Sequence, residues 1–202
     1  MESLCPKKGF PQALESTPAL AQKPLPCHPS TMQRTSHLWL LGLSGSGKSS
    51  VGPILAKKLS LPFLDTDQTI TETARLSIPQ IFAQGGEQEF RRWESKIVNQ
   101  LSLHPPSVIA CGAGVILDPQ NRRTLAQTGQ RIYLRAEIAT LVPRLSHHRD
   151  RPLLPAGQLQ PKLTQQLSER APWYEESEIQ ISIGSDTPEQ ISEKIIATLT
   201  AP

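Results

Sequence analysis

The sequence predicts an α/β domain built on a five-stranded parallel sheet flanked by helices. Three observations carry that prediction. From Leu38 onward, short apolar runs of strand length alternate with longer stretches at helical spacing. Helical segments separate the five runs, and strands joined through helices pair in parallel. A glycine-rich segment follows the first run directly, at the carboxyl end of a strand, where open parallel sheets bind their ligands.

The elements follow in order. Residues 38–43 read as the first strand and 47–60 as a helix, with Pro53 as a local conflict inside it. Residues 61–65 are the second strand. Residues 88–101 show the clearest helical period, through Phe90, Trp93, Ile97, Val98 and Leu101. A short apolar strand at 107–111 precedes a helix at 119–127 that opens on Pro119. Residues 131–135 form a strand and 137–147 a helix. A loop with two prolines and a glycine covers 148–158, and a helix covers 159–170. A strand at 178–183 and a helix at 188–199, capped by Thr187 or Asp186, close the domain.

Residues 1–37 stand apart. They are rich in Pro, Ser, Thr and Gln, lack any period, and read as a disordered tail ahead of a folded domain at 38–202. An over-called start upstream of Met32 is the other reading. A targeting peptide fits poorly, because the tail carries the single arginine Arg34 against Glu2 and Glu15.

Composition excludes several classes. The net charge of +3, with 17 basic and 16 acidic groups beyond residue 37, supplies no broad field for nucleic acid. The longest apolar run is far too short to span a bilayer. The three cysteines, Cys5, Cys27 and Cys111, have neither disulfide-framework nor zinc spacing. A cytoplasmic monomer that binds small molecules is the expectation.

The motif Gly42-Leu43-Ser44-Gly45-Ser46-Gly47-Lys48-Ser49 matches G-x-x-x-x-G-K-[ST] in full, with a strand before it and a helix after it. This is the phosphate loop of the P-loop NTPases. Glycines let successive N–H groups face an anion, and the helix N-terminus adds its dipole. ATP is therefore the expected ligand, held by Gly45, Ser46, Gly47, Lys48, Ser49 and Ser50. Lys48 reaches the outer phosphates, and the Ser49 hydroxyl ligates Mg²⁺. At the end of the second strand stand Asp65 and Asp67, which share a face if that strand runs through both. Phosphoryl transfer needs one carboxylate near the metal and another at the acceptor hydroxyl.

Further segments extend the pattern. After the loop and Asp65-Thr66-Asp67 come Gly86-Glu87-Gln88-Glu89-Phe90-Arg91-Arg92-Trp93-Glu94 and Gly112-Ala113-Gly114. Then follow Arg151-Pro152-Leu153-Leu154 and Glu169-Arg170-Ala171-Pro172-Trp173-Tyr174. This ordered set resembles the shikimate kinase family over about residues 38–199. The resemblance implies a nucleoside-monophosphate-kinase-like fold with a mobile lid at about 148–158. It also implies transfer of the ATP γ-phosphoryl to the 3-hydroxyl of shikimate, with Mg²⁺. In that reading Asp65 organises the metal and Asp67 acts on the acceptor hydroxyl. Arg91, supported by Glu94, and Arg170 bind the acceptor carboxylate. Arg151 contacts the transferring phosphate, and Arg144 stacks on adenine. Paired guanidinium groups suit a carboxylate, which argues against an adenylylsulfate acceptor.

One position departs from the family pattern. Three consecutive glycines are usual where this chain has Gly112-Ala113-Gly114, close to the acceptor. If the middle residue needs positive φ, the alanine weakens acceptor binding. The alternatives kept open are a gluconate- or adenylylsulfate-kinase-like enzyme and a catalytically weak nucleotide-binding homologue. Residues 184–188 lack the expected basic groups, and no adenine contact is assigned there.

Overall fold

A computed structural model describes residues 36–146 and 158–201. The element order is β1 (His37–Leu41), α1 (Lys48–Leu59), β2 (Phe63–Asp65), α2 (Thr66–Ala74) and α3 (Ile78–Leu101). Then come β3 (Val108–Ala110), a 3-10 turn at Val115–Leu117, α4 (Pro119–Thr128), β4 (Gly129–Ala136) and α5 (Ile138–Leu145). The chain closes with α6 (Leu159–Glu175), β5 (Ile179–Ile183) and α7 (Pro188–Thr200).

The five strands form one sheet in the order β2-β3-β1-β4-β5, every pairing parallel. Central strand β1 is buried along its whole length, which explains its unbroken apolar run. Edge strand β5 alternates instead, with Ile179, Ile181 and Ile183 inward and Gln180 and Ser182 exposed. Helices seal the sheet through Leu55 of α1, Ile97 of α3, Leu125 of α4 and Ile195 of α7, all fully buried.

Element boundaries differ from expectation where a local feature intervenes. Strand β1 stops at Leu41, because Gly42 at φ 141° turns the chain into the loop. Helix α3 begins ten residues earlier than its apolar period suggests. Ser77 and Gln80 form a reciprocal capping box at its start, and Gly86 (φ 65°, ψ −162°) breaks it internally. Helix α2 is an addition, since only Thr66 and Ile70 of it are buried and its period is faint. Helix α6 continues past Arg170 through Pro172, because Tyr174 is buried and stacks on Tyr133 of β4 at 5.0 Å and 9°. Pro53 sits exposed inside α1, and nothing in the structure explains it.

Candidate active site

The phosphate loop joins the buried end of β1 to α1. Gly45 and Gly47 take φ of 80° and 91°, conformations that the glycine side chain permits, and a Cβ on Gly45 would lie 2.9 Å from Leu145. Lys48, 9 % exposed, folds its ammonium back onto the loop. Its Nζ donates to the carbonyls of Gly42 (2.8 Å) and Leu43 (2.9 Å) and to Ser46 Oγ (3.3 Å). Ser46 is fully buried and serves the loop's own geometry.

The carboxylates converge by a route other than strand parity. Asp65 ends β2 and caps α2, its Oδ1 accepting from the N–H of Asp67 (3.0 Å) and of Gln68 (3.3 Å). Its other oxygen, Oδ2, accepts the Ser49 hydroxyl at 2.7 Å, so the two predicted metal-side groups are in contact. Asp67 belongs to the first turn of α2. The strand-face expectation for the pair is therefore corrected: helix capping brings Asp67 into the same cleft.

That cleft has a volume of about 510 Å³ at the carboxyl ends of the strands. The loop residues Gly45, Gly47, Lys48, Ser49 and Ser50 line one wall, and Asp65, Asp67, Gly112, Ala113 and Arg144 line the rest. Arg144 bridges the phosphate loop and the residues after β5, donating to the Gly45 carbonyl (3.4 Å) and to the Gly184 carbonyl (3.3 Å). Asp186, Pro188 and Ile191 also face the cleft, although the sequence assigned no ligand contact at 184–188. Their position after β5, at the start of α7, was the available signal. Cys111 lines the floor as a buried thiol, pushed up by burial and held neutral.

Beside Asp67 lies a second group of charges. Gly112 donates its N–H to Thr66 Oγ1 at 2.8 Å. A Cβ on Gly112 would fall 2.7 Å from Asp67 Oδ1 and 2.8 Å from Glu94 Oε1. One on Gly114 would collide with the Arg91 guanidinium, 1.8 Å from Nη1. A side chain at either position would have to push these charged groups aside. Arg91 Nη1 bonds Glu94 and Nη2 bonds Glu87 (2.6 Å). Burial works against the Arg91 charge, but the two carboxylates outweigh it and raise the guanidinium further. Glu94 is 1 % exposed, and burial pushes its carboxyl up to about 7 against the opposing pull of Arg91. Arg170, also buried, donates from Nη1 to the Ala113 carbonyl at 3.2 Å. Arg170 Nε and Glu94 Oε1 are buried without hydrogen-bond partners, which is uncommon for buried polar atoms.

Ala113 settles its own question. Among the described residues only Ser60 and Arg75 are non-glycines with positive φ, so the alanine sits in ordinary backbone space. Arg151 and the lid at 148–158, apart from residue 158, lie outside the described residues.

A phosphate loop on a parallel sheet, with a hydroxyl–carboxylate pair beside it and the charged side chains of Arg91, Glu94 and Arg170 around the neighbouring turn, fits a P-loop small-molecule kinase. Comparison with known proteins narrows the class. The family model described as shikimate kinase matches residues 44–200. A shikimate kinase from Dechloromonas aromatica is 41% identical over 147 residues, covering 73% of this chain and 80% of that protein. The solved shikimate kinase from Acinetobacter baumannii in complex with shikimate superposes with a TM-score of 0.80 at 32% identity, over 83% of this chain and 94% of that one. A gluconokinase from Sinorhizobium meliloti matches at TM-score 0.55 and 19% identity, over 82% of this chain and 91% of that one, and shares the fold alone. The chain belongs to the shikimate kinase family. It is accordingly an ATP-dependent phosphotransferase with an alcohol acceptor.

Proposed function

We propose that this chain moves the γ-phosphoryl group of ATP to the 3-hydroxyl of shikimate, acting as a cytoplasmic monomer. The observation that carries the proposal is the convergence in one cleft of the phosphate loop, the Ser49–Asp65 pair and Asp67, with two arginines beside the Gly112–Ala113–Gly114 turn. Among the described residues Leu103 is the only large hydrophobic side chain that is exposed, and no helix is long and apolar enough to cross a membrane.

The nucleotide phosphates occupy the loop between Gly45 and Ser50, and Lys48 exchanges the Gly42 and Leu43 carbonyls for phosphate oxygens. The donors at the metal side are hard oxygens, a hydroxyl and a carboxylate in mutual contact. That set fits Mg²⁺, which is typically bound by one or two carboxylates, water and substrate phosphates. Ser49 and Asp65 would hold the ion, which neutralises phosphate charge when bound. Arg144 contacts the adenine side. Asp67 accepts the proton of the acceptor hydroxyl as its oxygen bonds to the γ-phosphorus. The bond from that phosphorus to the β–γ bridging oxygen breaks, and ADP leaves. Arg91 and Arg170 grip the acceptor carboxylate, while Arg151, on the lid at 148–158, stabilises the transferring group. Catalysis is chiefly positioning and charge stabilisation.

A coupled ADP-release assay on the full chain with MgATP, with and without shikimate, tests the proposal. Shikimate-dependent release is the expected result. ATP binding without stimulation by shikimate would overturn it in favour of another hydroxylated acid or a non-catalytic nucleotide binder. Asp67→Asn should lower kcat by a factor on the order of 100 or more while leaving ATP affinity nearly unchanged. Retention of most activity would remove Asp67 from the assigned role.

A further inference from the structure

The carbonyl oxygen of Ala113 is held by two donors from one helix. Arg170 Nη1 reaches it at 3.2 Å and Tyr174 Oη at 2.7 Å, so α6 clamps the middle peptide of the Gly112–Ala113–Gly114 turn with residues one helical turn apart. A second contact ties the same helix to the residues that follow the turn. The Arg122 guanidinium donates to the carbonyls of Ile116 (2.7 Å) and Leu117 (3.3 Å) and lies 4.8 Å from the centre of the Trp173 ring. Tyr174 is itself fixed: it is 1 % exposed and stacks flat on Tyr133. Burial raises its hydroxyl far above the usual phenol range, so it stays protonated and serves as a donor throughout the working pH range.

We infer that Tyr174 is a positioning residue for the acceptor, acting through the Ala113 carbonyl to hold the Gly112–Ala113–Gly114 turn and Arg170 in one fixed arrangement. The inference rests on the functional reading above and assigns the buried tyrosine a part in acceptor affinity. The shared acceptor is the physical basis. A carbonyl oxygen has two lone pairs, and here one goes to each donor. Without the tyrosine hydroxyl, the Ala113 peptide is free to turn toward Arg170 alone. The guanidinium is then drawn onto the backbone, and its buried Nε, which has no hydrogen-bond partner, loses its fixed direction. The turn also carries two glycines packed against Asp67, Glu94 and Arg91, so a shift of its backbone disturbs each of those contacts. The phosphate loop has no share in this clamp.

Steady-state kinetics of the full chain with Tyr174→Phe provide the test. The KM for shikimate should rise about three- to tenfold, the loss expected for one buried neutral hydrogen bond. Both kcat and the KM for ATP should stay within about twofold, since the acceptor is held less tightly to the same extent before and in the transition state. Tyr133→Phe keeps the stacked ring and removes a hydroxyl with no part in the clamp, so it should match the wild type. An unchanged shikimate KM in Tyr174→Phe, or a parallel rise in the KM for ATP, would overturn the inference while leaving the functional reading intact. If Tyr174→Phe does not fold by circular dichroism, Tyr174→Met decides: it fills the buried space with an adaptable apolar chain that has no hydroxyl, and it should also raise the shikimate KM selectively; no rise would overturn the inference. Absence of shikimate-dependent turnover in the wild type would instead defeat the functional reading, and this inference with it.

Discussion

Gly112 and Gly114 show how a backbone position is set by its neighbours' charges. Neither has a positive φ, yet a methyl group on Gly114 would lie on the Arg91 guanidinium. Gly114→Ala should therefore displace Arg91 from the acceptor side and raise the shikimate KM by about tenfold or more, with the KM for ATP unmoved in the same assay. At this scale much was legible from residue types and order. Lys48, Ser49, Asp65, Asp67, Gly112 and Ala113 all reach one cleft, and Arg91 and Arg170 flank the turn beside it. Glu94 was readable as the partner of Arg91, three residues along a helix. Tyr174 was not readable, because its influence passes through a backbone carbonyl that belongs to a residue 61 positions away.

Helix α3 illustrates the element scale. Gly86 sits in a conformation that is essentially reserved for glycine, although a Cβ there would meet nothing within 4 Å. The penalty for Gly86→Ala is thus purely conformational. A loss of about 1–3 kcal/mol is expected, read as a lower midpoint in urea unfolding. The sequence reading placed the helix only after this break, because the apolar period resumes there. The capping box of Ser77 and Gln80, with a proline in the first turn, was the signal for the earlier start. Helix α2 left a fainter trace, the capping Asp65 alone, since it buries only Thr66 and Ile70 and so has no clear apolar period. The expected end of α6 at residue 170 falls short, because the packing of Tyr174 on Tyr133 carries the helix on for another turn.

The parallel α/β class was legible at the whole-molecule scale from strand-length runs between helices. Strand order was not, because it depends on pairings between distant segments such as β1 with β4. Stability of the whole chain carries a signature of its buried acid. Glu94 holds its proton up to about 7 in the fold against an ordinary 4.5, so the native state binds more protons than the unfolded chain between those values. Stability should fall as pH rises through that window and level off above it. Glu94→Gln, compared with wild type by urea midpoints at pH 5 and pH 8, should show the smaller difference; an equal difference would remove Glu94 as the cause. The order β2-β3-β1-β4-β5 has one more consequence. Asp65, Asp67 and Gly112 follow the strands on one flank of β1, while Arg144, Asp186 and Pro188 follow those on the other, with the phosphate loop at the divide. The cleft is thus assembled from both halves of the sheet, so a shift of either half against β1 changes the distance between Asp67 and Arg144 across the phosphate loop.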